Sequence, residues 1–245
     1  VCLAGFTFAQ DAPLWMRHSV ISPDGTTIAF TYKGDIYTVP VAGGRAMQIT
    51  TNPAYDTAPV WSPDSKRIAF ASDRMGSLDV YIVAKDGGEP RRLTTHSGSE
   101  TPLAFTDAGH VLFSAGIMPS AEAVVFPSNG QFNQVYRVSV EGGRPTMISS
   151  MPMECISINK EGAMLYQDKK GYEDYWRKHH VSPIARDIWM YTPGKEPQYR
   201  QLTTFGGEDR EPVWAPDGKT FYYLSEENGS FNIYRRTPGD AKAVQ

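Results

Sequence analysis

Three acidic residues stand at the same place relative to a recurring turn, and they are the clearest candidates for binding a charged ligand. Asp56, Glu100 and Asp209 each lie six residues before the first position of that turn, and Arg210 adjoins the third of them. Equivalent positions of a repeated fold converge, so these carboxylates could surround one mouth of a central channel and bind peptide amino termini or basic side chains. They could equally accept backbone hydrogen bonds from an adjacent loop, which would be a structural role.

A second candidate region is the basic and aromatic stretch between positions 167 and 186. Its cations could hold a peptide carboxylate, because Arg offers a two-pronged donor and Lys a point charge. Docking on another domain, or a solvated loop with aromatic anchors, would explain the same composition. The neighbouring pair His179 and His180 makes a poor zinc site, since adjacent residues of an extended segment point to opposite faces and no third ligand is indicated. The candidate peptide-binding residues of this stretch are Lys169, Lys170, Arg177, His179, His180 and Arg186.

The sequence carries no pattern typical of a catalytic centre. No GxSxG motif occurs, and no Ser in a nucleophile turn accompanies a candidate His base. The two cysteines, Cys2 and Cys155, belong to no CxxC or metal-ligand pattern, and Cys155 is expected to be a small buried strand residue. We therefore predict no catalytic residue, no metal and no cofactor in this chain.

Composition narrows the class of protein further. The 245 residues, 40% of them hydrophobic, can bury a sizeable core. A net charge of -3 without any block of like charge makes a nucleic-acid partner unexpected, and no apolar run approaches the ~20 residues of a membrane-spanning helix.

The first ten residues, VCLAGFTFAQ, are apolar and small and give way abruptly to Asp11. They indicate the tail of a secretory signal peptide, although an ordinary apolar strand would have a similar composition. We therefore expect an exported, for example periplasmic, protein.

The strongest pattern is a repeat, because the segment 55–95 recurs in degraded form along nearly the whole chain. Three markers identify five units: a turn, a strand centred on an aromatic residue, and a closing LTT-like segment. The turns read SPDG at 22–25, SPDS at 62–65, TDAG at 106–109, NKEG at 159–162 and APDG at 215–218.

Each unit is expected to be a four-stranded antiparallel meander. In the second unit, apolar residues 58–61 lead into a turn at Pro63 and Asp64, and β-branched and aromatic alternation follows in 67–72 and 79–83. Units of this length match the blades of a β-propeller, which is an all-β fold. The predicted blades are 11–52, 53–96, 97–150, 151–205 and an incomplete 206–245.

The later units grow by insertions at 115–132 and 167–186, both between the second and third strands. Insertions that recur at one loop position lie on one face of a propeller, which is often the functional face. Because the fifth unit stops before its fourth strand, further blades are expected beyond residue 245.

The repeat motifs SPDG, IAF, DIY and LTT resemble those of TolB, of the prolyl oligopeptidase and dipeptidyl peptidase propellers, and of the tricorn protease. The order of local motifs over residues 11–245 is similar to the N-terminal propeller of exported bacterial tricorn-like serine peptidases. These motifs are APLW at 12–15, YKGD at 32–35, NPAYD at 52–56, FPS at 126–128, KGYE at 170–173 and WRKHH at 176–180.

The resemblance implies a non-catalytic propeller that filters or guides peptides or unfolded polypeptide toward a protease core. It also implies that a PDZ domain and this core follow in the same protein. Two alternatives remain at this level. One is a TolB-like protein-interaction propeller of the cell envelope, and the other is the propeller of a prolyl-oligopeptidase-type enzyme.

Overall fold

The structure, a computed structural model, describes residues 15–116, 133–171, 182–240 and 242–245. Within these ranges it is all-β, with nineteen strands and no helix. The strands are β1 (Arg17–Ile21), β2 (Thr27–Tyr32), β3 (Asp35–Pro40), β4 (Met47–Gln48), β5 (Asp56–Trp61), β6 (Arg67–Ser72), β7 (Asp79–Ala84), β8 (Arg91–Arg92), β9 (Glu100–Asp107), β10 (His110–Ala115), β11 (Gln134–Ser139), β12 (Thr146–Ser149), β13 (Met153–Ile158), β14 (Met164–Asp168), β15 (Ile188–Thr192), β16 (Gln198–Gln201), β17 (Asp209–Trp214), β18 (Phe221–Ser225) and β19 (Asn232–Arg236).

Consecutive strands pair antiparallel to form five separate sheets, which are the five predicted blades. Blades 1 to 4 each contain four strands in sequential order, namely β1–β4, β5–β8, β9–β12 and β13–β16. Blade 5 contains β17, β18 and β19, and a single antiparallel bridge between Arg235 and Val244 occupies the place of its fourth strand. The prediction of an all-β propeller of four-stranded blades is therefore confirmed.

The innermost strands β1, β5, β9, β13 and β17 contact one another in this order around the centre. Each begins where the second strand of its own blade ends, as the pairs Asp56 with Ser72 and Asp209 with Ser225 show. We call this side the loop face, because the chain between second and third strands leaves from it. The turns that join first to second strands lie on the opposite side, the turn face. Both insertions are thus attached on the loop face, next to the candidate acids.

The hydrophobic core consists of four clusters, each of which fills the seam between two successive blades. In the seam between blades 1 and 2, Trp61 and Phe70 pack against Ile36, and the Trp61 indole N–H donates to the backbone carbonyl of Val20 at 3.2 Å. Trp214 donates in the same way to Ala163 of the preceding blade at 3.1 Å. The aromatic residues that recur once per blade therefore hold neighbouring blades together.

The Asp of each SPDG-like turn is held by its own loop. The Ser62 hydroxyl donates to the Asp64 carboxylate at 2.5 Å, and this bond lowers the pKa of Asp64. In blade 5 the Thr220 hydroxyl and two backbone N–H groups hold Asp217, which lowers the pKa of that carboxyl to about 2. Since these bonds are local and saturate the carboxylates, the turn acids form structure.

Candidate functional site

The wall of the central channel is built from the innermost strands, four of which contain the same distortion. In each of the four, the pairing register shifts by one residue, which is a β-bulge. A residue in the left-handed region, with φ between 51° and 54°, marks each bulge. These residues are His18, Ala58, Cys155 and Glu211.

Blade 3 has Pro102 at the corresponding place, two residues after Glu100. The proline ring fixes φ near -65°. This explains why blade 3 lacks a left-handed residue there, although its strand also has an irregular register.

Cys155 corrects one prediction, because it is exposed rather than buried. The bulge interrupts the alternation of the strand, so a residue that would otherwise point into a seam is left exposed. The thiol still lies in a concave, crowded wall. Burial by that wall, helped by the Glu211 and Glu154 carboxylates, raises the pKa of Cys155 to about 11, so the thiol is protonated at neutral pH.

Asp56, the first candidate acid, is fully buried in the seam between blades 1 and 2. One terminal nitrogen of Arg74 donates to both carboxylate oxygens, at 2.9 and 3.0 Å. The Arg74 guanidinium also lies 4.5 Å from the centre of the Tyr81 ring. Asp56 is therefore the counter-ion of a buried arginine of its own blade.

Asp209, at the equivalent place in blade 5, is 2% exposed. Burial raises the pKa of its carboxyl to about 6, opposed by hydrogen bonds with the hydroxyls of Ser225 and Thr203. Thr203 belongs to the closing segment of blade 4, so this contact joins two blades. Glu100 of blade 3 is likewise fully buried, and burial raises the pKa of Glu100 to about 7.

All three acids occupy seams between blades rather than the open channel. Their backbone N–H groups donate to carbonyls of the preceding blade, those of Gly34, Leu78 and Arg186, at 2.7, 2.7 and 3.0 Å. This geometry favours the structural role over the ring of peptide-binding acids, since a peptide would reach the carboxylates only after they left the seams. Peptide binding by these acids stays a prediction.

The described candidate cations of the insertion in the fourth unit, Lys169, Lys170 and Arg186, are already paired with acids. Lys170 contacts Asp187 at 2.5 Å and donates to the Ala185 carbonyl at 2.7 Å, and Lys169 lies 3.2 Å from Glu154. Burial opposes the charge of Lys170, but Asp187 and Asp168 together raise the pKa of this lysine. A free cationic surface for a peptide carboxylate is therefore not formed by Lys169 and Lys170.

Arg186 bridges blades 4 and 5 by contacting Glu154 at 3.4 Å and Glu208 at 3.2 Å. Burial alone would raise the pKa of Glu154, but a hydrogen bond from Gln167 and the charge of Lys169 hold it below its ordinary value. The remaining predicted residues of this unit, Arg177, His179 and His180, lie outside the described residues.

Together these side chains form what we call the charged wall of the channel, on the inner strands and loop face of blades 4 and 5. Its outermost member is Glu211, whose side chain is exposed beside Cys155, while Arg210 covers the Phe231 ring at 4.0 Å. The charged wall comprises Glu154, Lys169, Arg186, Glu208, Arg210 and Glu211.

Sequence reasoning missed the acids Glu154, Glu208 and Glu211. One signal could have revealed Glu154 and Glu211: they lie one and two residues after Met153 and Asp209, the positions of their strands that align with Asp56. Within the described ranges, no cluster of metal-ligating side chains occurs, and no helix has the length and apolar character to cross a membrane.

The sequence is similar to one protein family and to several known proteins. Residues 13–245 match the family model described as the tricorn protease N-terminal beta propeller domain. Tricorn protease homolog 1 of Streptomyces coelicolor is 25% identical over 224 residues, which is 91% of this chain and 20% of that protein. The uncharacterized peptidase YuxL of Bacillus subtilis is 24% identical over 210 residues, or 81% of this chain and 27% of that protein.

Two solved structures share the fold. The crystal structure of the tricorn protease superposes with a TM-score of 0.73 at 18% identity, covering 95% of this chain and 22% of that chain. The structure of putative TolB from Agrobacterium tumefaciens gives a TM-score of 0.72 at 15% identity, covering 95% of this chain and 80% of that one. The chain thus spans about a fifth to a quarter of the length of the curated relatives it matches.

Proposed function

Since the chain belongs to the tricorn protease N-terminal β-propeller family, we propose that it is a non-catalytic domain that selects and guides peptides through its central channel. The chemistry then belongs to other domains of the same protein, a PDZ domain and a serine-protease core. In this proposal the protein acts outside the cytoplasm, for which the apolar residues 1–10 are the support.

The charged wall is the observation that carries the proposal. Its inner members neutralise one another through Lys169, Glu154, Arg186 and Glu208, whereas Glu211 on the innermost strand β17 is exposed to solvent. An exposed carboxylate on a concave wall attracts the ammonium group of a peptide amino terminus or a basic side chain. The charged wall would therefore raise the rate at which such a peptide enters the channel and leave the rate of the chemical step unchanged.

The test measures kcat/KM for short and long peptides, each with free and with acetylated amino terminus, in the full-length native protein and its Glu211→Gln variant. We expect a loss of about fivefold for long peptides with a free amino terminus, which corresponds to a contact of ~1 kcal/mol. Short and acetylated peptides should be cleaved at unchanged rates.

Glu161→Gln is the matched control, because it removes the same charge from an exposed residue of a blade 4 turn on the turn face. Equal effects of the two variants would contradict guidance by the channel.

A TolB-like interaction platform is the second candidate, because the fold of putative TolB superposes on nearly the whole chain. This candidate predicts that the full-length protein cleaves none of the peptides but retains protein partners through its propeller. A prolyl-oligopeptidase-type enzyme would instead cleave short peptides and reject long ones with or without the Glu211 carboxylate. The same panel of substrates therefore separates all three functions.

A further inference from the structure

The seam between blades 2 and 3 concentrates buried polar atoms that lack a well-aligned hydrogen bond. Among the described residues these include Asp79 Oδ2, Arg92 Nε and both carboxylate oxygens of Glu100. One terminal nitrogen of Arg92 donates to Asp79 Oδ1 at 2.9 Å and lies 2.8 Å from Oδ2, so Asp79 is ion-paired although its second oxygen accepts no well-aligned hydrogen bond. Buried polar atoms without partners are rare in folded proteins, so this cluster requires a physical explanation.

The cluster contains more carboxyl groups than cations to neutralise them. The Asp79 and Glu100 side chains are both 0% exposed, and among the residues that the structure describes Arg92 is the one arginine or lysine paired with them, 2.8 Å from Asp79. If both carboxyls were ionised, one negative charge would stay uncompensated in a buried seam, which is strongly unfavourable. The seam between blades 1 and 2 differs, because Arg74 neutralises the fully buried Asp56 there and the second acid, Asp35, is only half-buried and accepts hydrogen bonds from Gln48 and Thr50.

A proton on Glu100 removes the excess charge. Burial is the largest cause that raises the pKa of this carboxyl, the Thr94 hydroxyl opposes it, and the negative Asp79 raises it further, to about 7. A metal ion is a poor alternative, since the described residues offer no cluster of three ligands and the Arg92 guanidinium would repel a cation.

Glu100 also has a neighbour on its solvent side. His96 Nδ1 lies 3.6 Å from a Glu100 oxygen, and the His96 side chain is 42% exposed. The same Nδ1 accepts the backbone N–H of Gly98 at 3.0 Å, which only an unprotonated nitrogen can do.

The charged and titratable groups around Glu100 are therefore Asp79 on β7, Arg92 on β8 and His96 in the β8–β9 connection. Tyr81 interacts electrostatically with both the Asp79–Arg92 pair and the Asp56–Arg74 pair.

We propose that Glu100 is a proton-operated latch of the seam between blades 2 and 3. Neutral Glu100 stays in the seam and donates its proton in a hydrogen bond to Asp79. On losing the proton to solvent, the carboxylate is repelled by Asp79 and turns out of the seam toward the loop face. This movement loosens the start of β9, whose first N–H bonds the Leu78 carbonyl at 2.7 Å. The latch is independent of peptide guidance, because it concerns blades 2 and 3 rather than the charged wall.

Hydrogen–deuterium exchange of the full-length native protein tests the latch at pH 6 and pH 8, after correction for the chemical exchange rate. A carboxyl with a pKa of about 7 in the closed seam and an ordinary value in the open one gives roughly tenfold more opening at pH 8 than at pH 6. We expect this increase at the Glu100 amide in the wild type and no increase in Glu100→Gln. The Asp56 amide, at the equivalent place beside Arg74, is the internal control and should not respond.

A second measurement does not depend on the variant folding. The carboxyl ¹³C shift of Glu100 in the wild type should titrate near pH 7. Titration near 4.5, or the same pH dependence of exchange in the wild type and in Glu100→Gln, would overturn the proposal.

Discussion

At the start of β5, Asp56 and Arg74 form a pair in which each charge depends on the other. Their side chains are 0% and 12% exposed, so removal of one leaves the other charged and poorly solvated. Replacement of Asp56 by Asn should therefore lower the free energy of unfolding by about 3–5 kcal/mol, measured by urea denaturation.

The exposed pair of Arg91 and Glu141, 2.8 Å apart, provides the control. Both side chains face water, so Glu141→Gln should cost less than about 1 kcal/mol. If the two variants lost the same stability, Asp56 would not be the essential counter-ion of Arg74.

The sequence predicts the positions of the candidate residues but not the directions or partners of their side chains. The positions of Asp56, Glu100 and Asp209 were recognised as equivalent, because the repeat aligns them. The direction of their side chains was not, since these three acids are buried in seams, whereas bulge residues of the inner strands such as Cys155 and Glu211 are exposed. The partners of the basic residues were also hidden, because Arg186 and Glu154 are 32 positions apart in the chain.

Among the elements of the fold, the inner strand recurs with the same β-bulge and left-handed residue in four blades. The left-handed region costs a residue with a side chain about 1–2 kcal/mol, and glycine avoids most of this cost. Ala58, at φ 51°, occupies such a place without any hydrogen bond from its side chain. Ala58→Gly should therefore raise the free energy of unfolding by about 0.5–1 kcal/mol, measured by thermal unfolding.

Ala69→Gly is the matched control for that variant. Ala69 is fully buried in β6, outside the left-handed residues, so the same substitution should destabilise by about 1 kcal/mol or more. Destabilisation of both variants to the same extent would show that the bulge is not strained.

Strands and turns were the most predictable elements. The Ser-Pro-Asp-Gly turns and the aromatic third strands carry signals within a few residues, so the predicted strand 67–72 coincides with β6. The bulges could not be predicted from the sequence, because only Gly and Asn indicate a positive φ by their residue type. Ala58, Cys155 and Glu211 carry no such signal, and their conformation comes from the pairing of whole strands.

At the scale of the whole molecule, equivalent residues of different blades experience different surroundings. Ile36, Ile188 and Ile233 hold the same place in the third strands of blades 1, 4 and 5. The first two are 0% exposed in seams, whereas Ile233 is 64% exposed. Among the described residues, no hydrophobic cluster joins blade 5 to blade 1.

This difference predicts unequal effects of one substitution. Ile36→Ala and Ile188→Ala should each cost about 2–5 kcal/mol of unfolding free energy, because they leave cavities in packed seams. Ile233→Ala should cost less than about 1 kcal/mol, because water already reaches that side chain. Denaturant titration of the three variants measures the contrast, and a large loss for Ile233→Ala would mean that its face is covered in solution.

The four clusters between blades give the molecule the energetics of a linear chain of coupled units. Each sheet is stabilised mainly by its two neighbours, so the free energy of the whole approximates a sum over adjacent pairs. Among the described residues, blades 2, 3 and 4 have two such couplings, whereas blades 1 and 5 each have one. Local opening is therefore expected first at blades 1 and 5, where one described cluster is present instead of two. A weakened coupling between blades 2 and 3 would divide this linear array into two cooperative blocks.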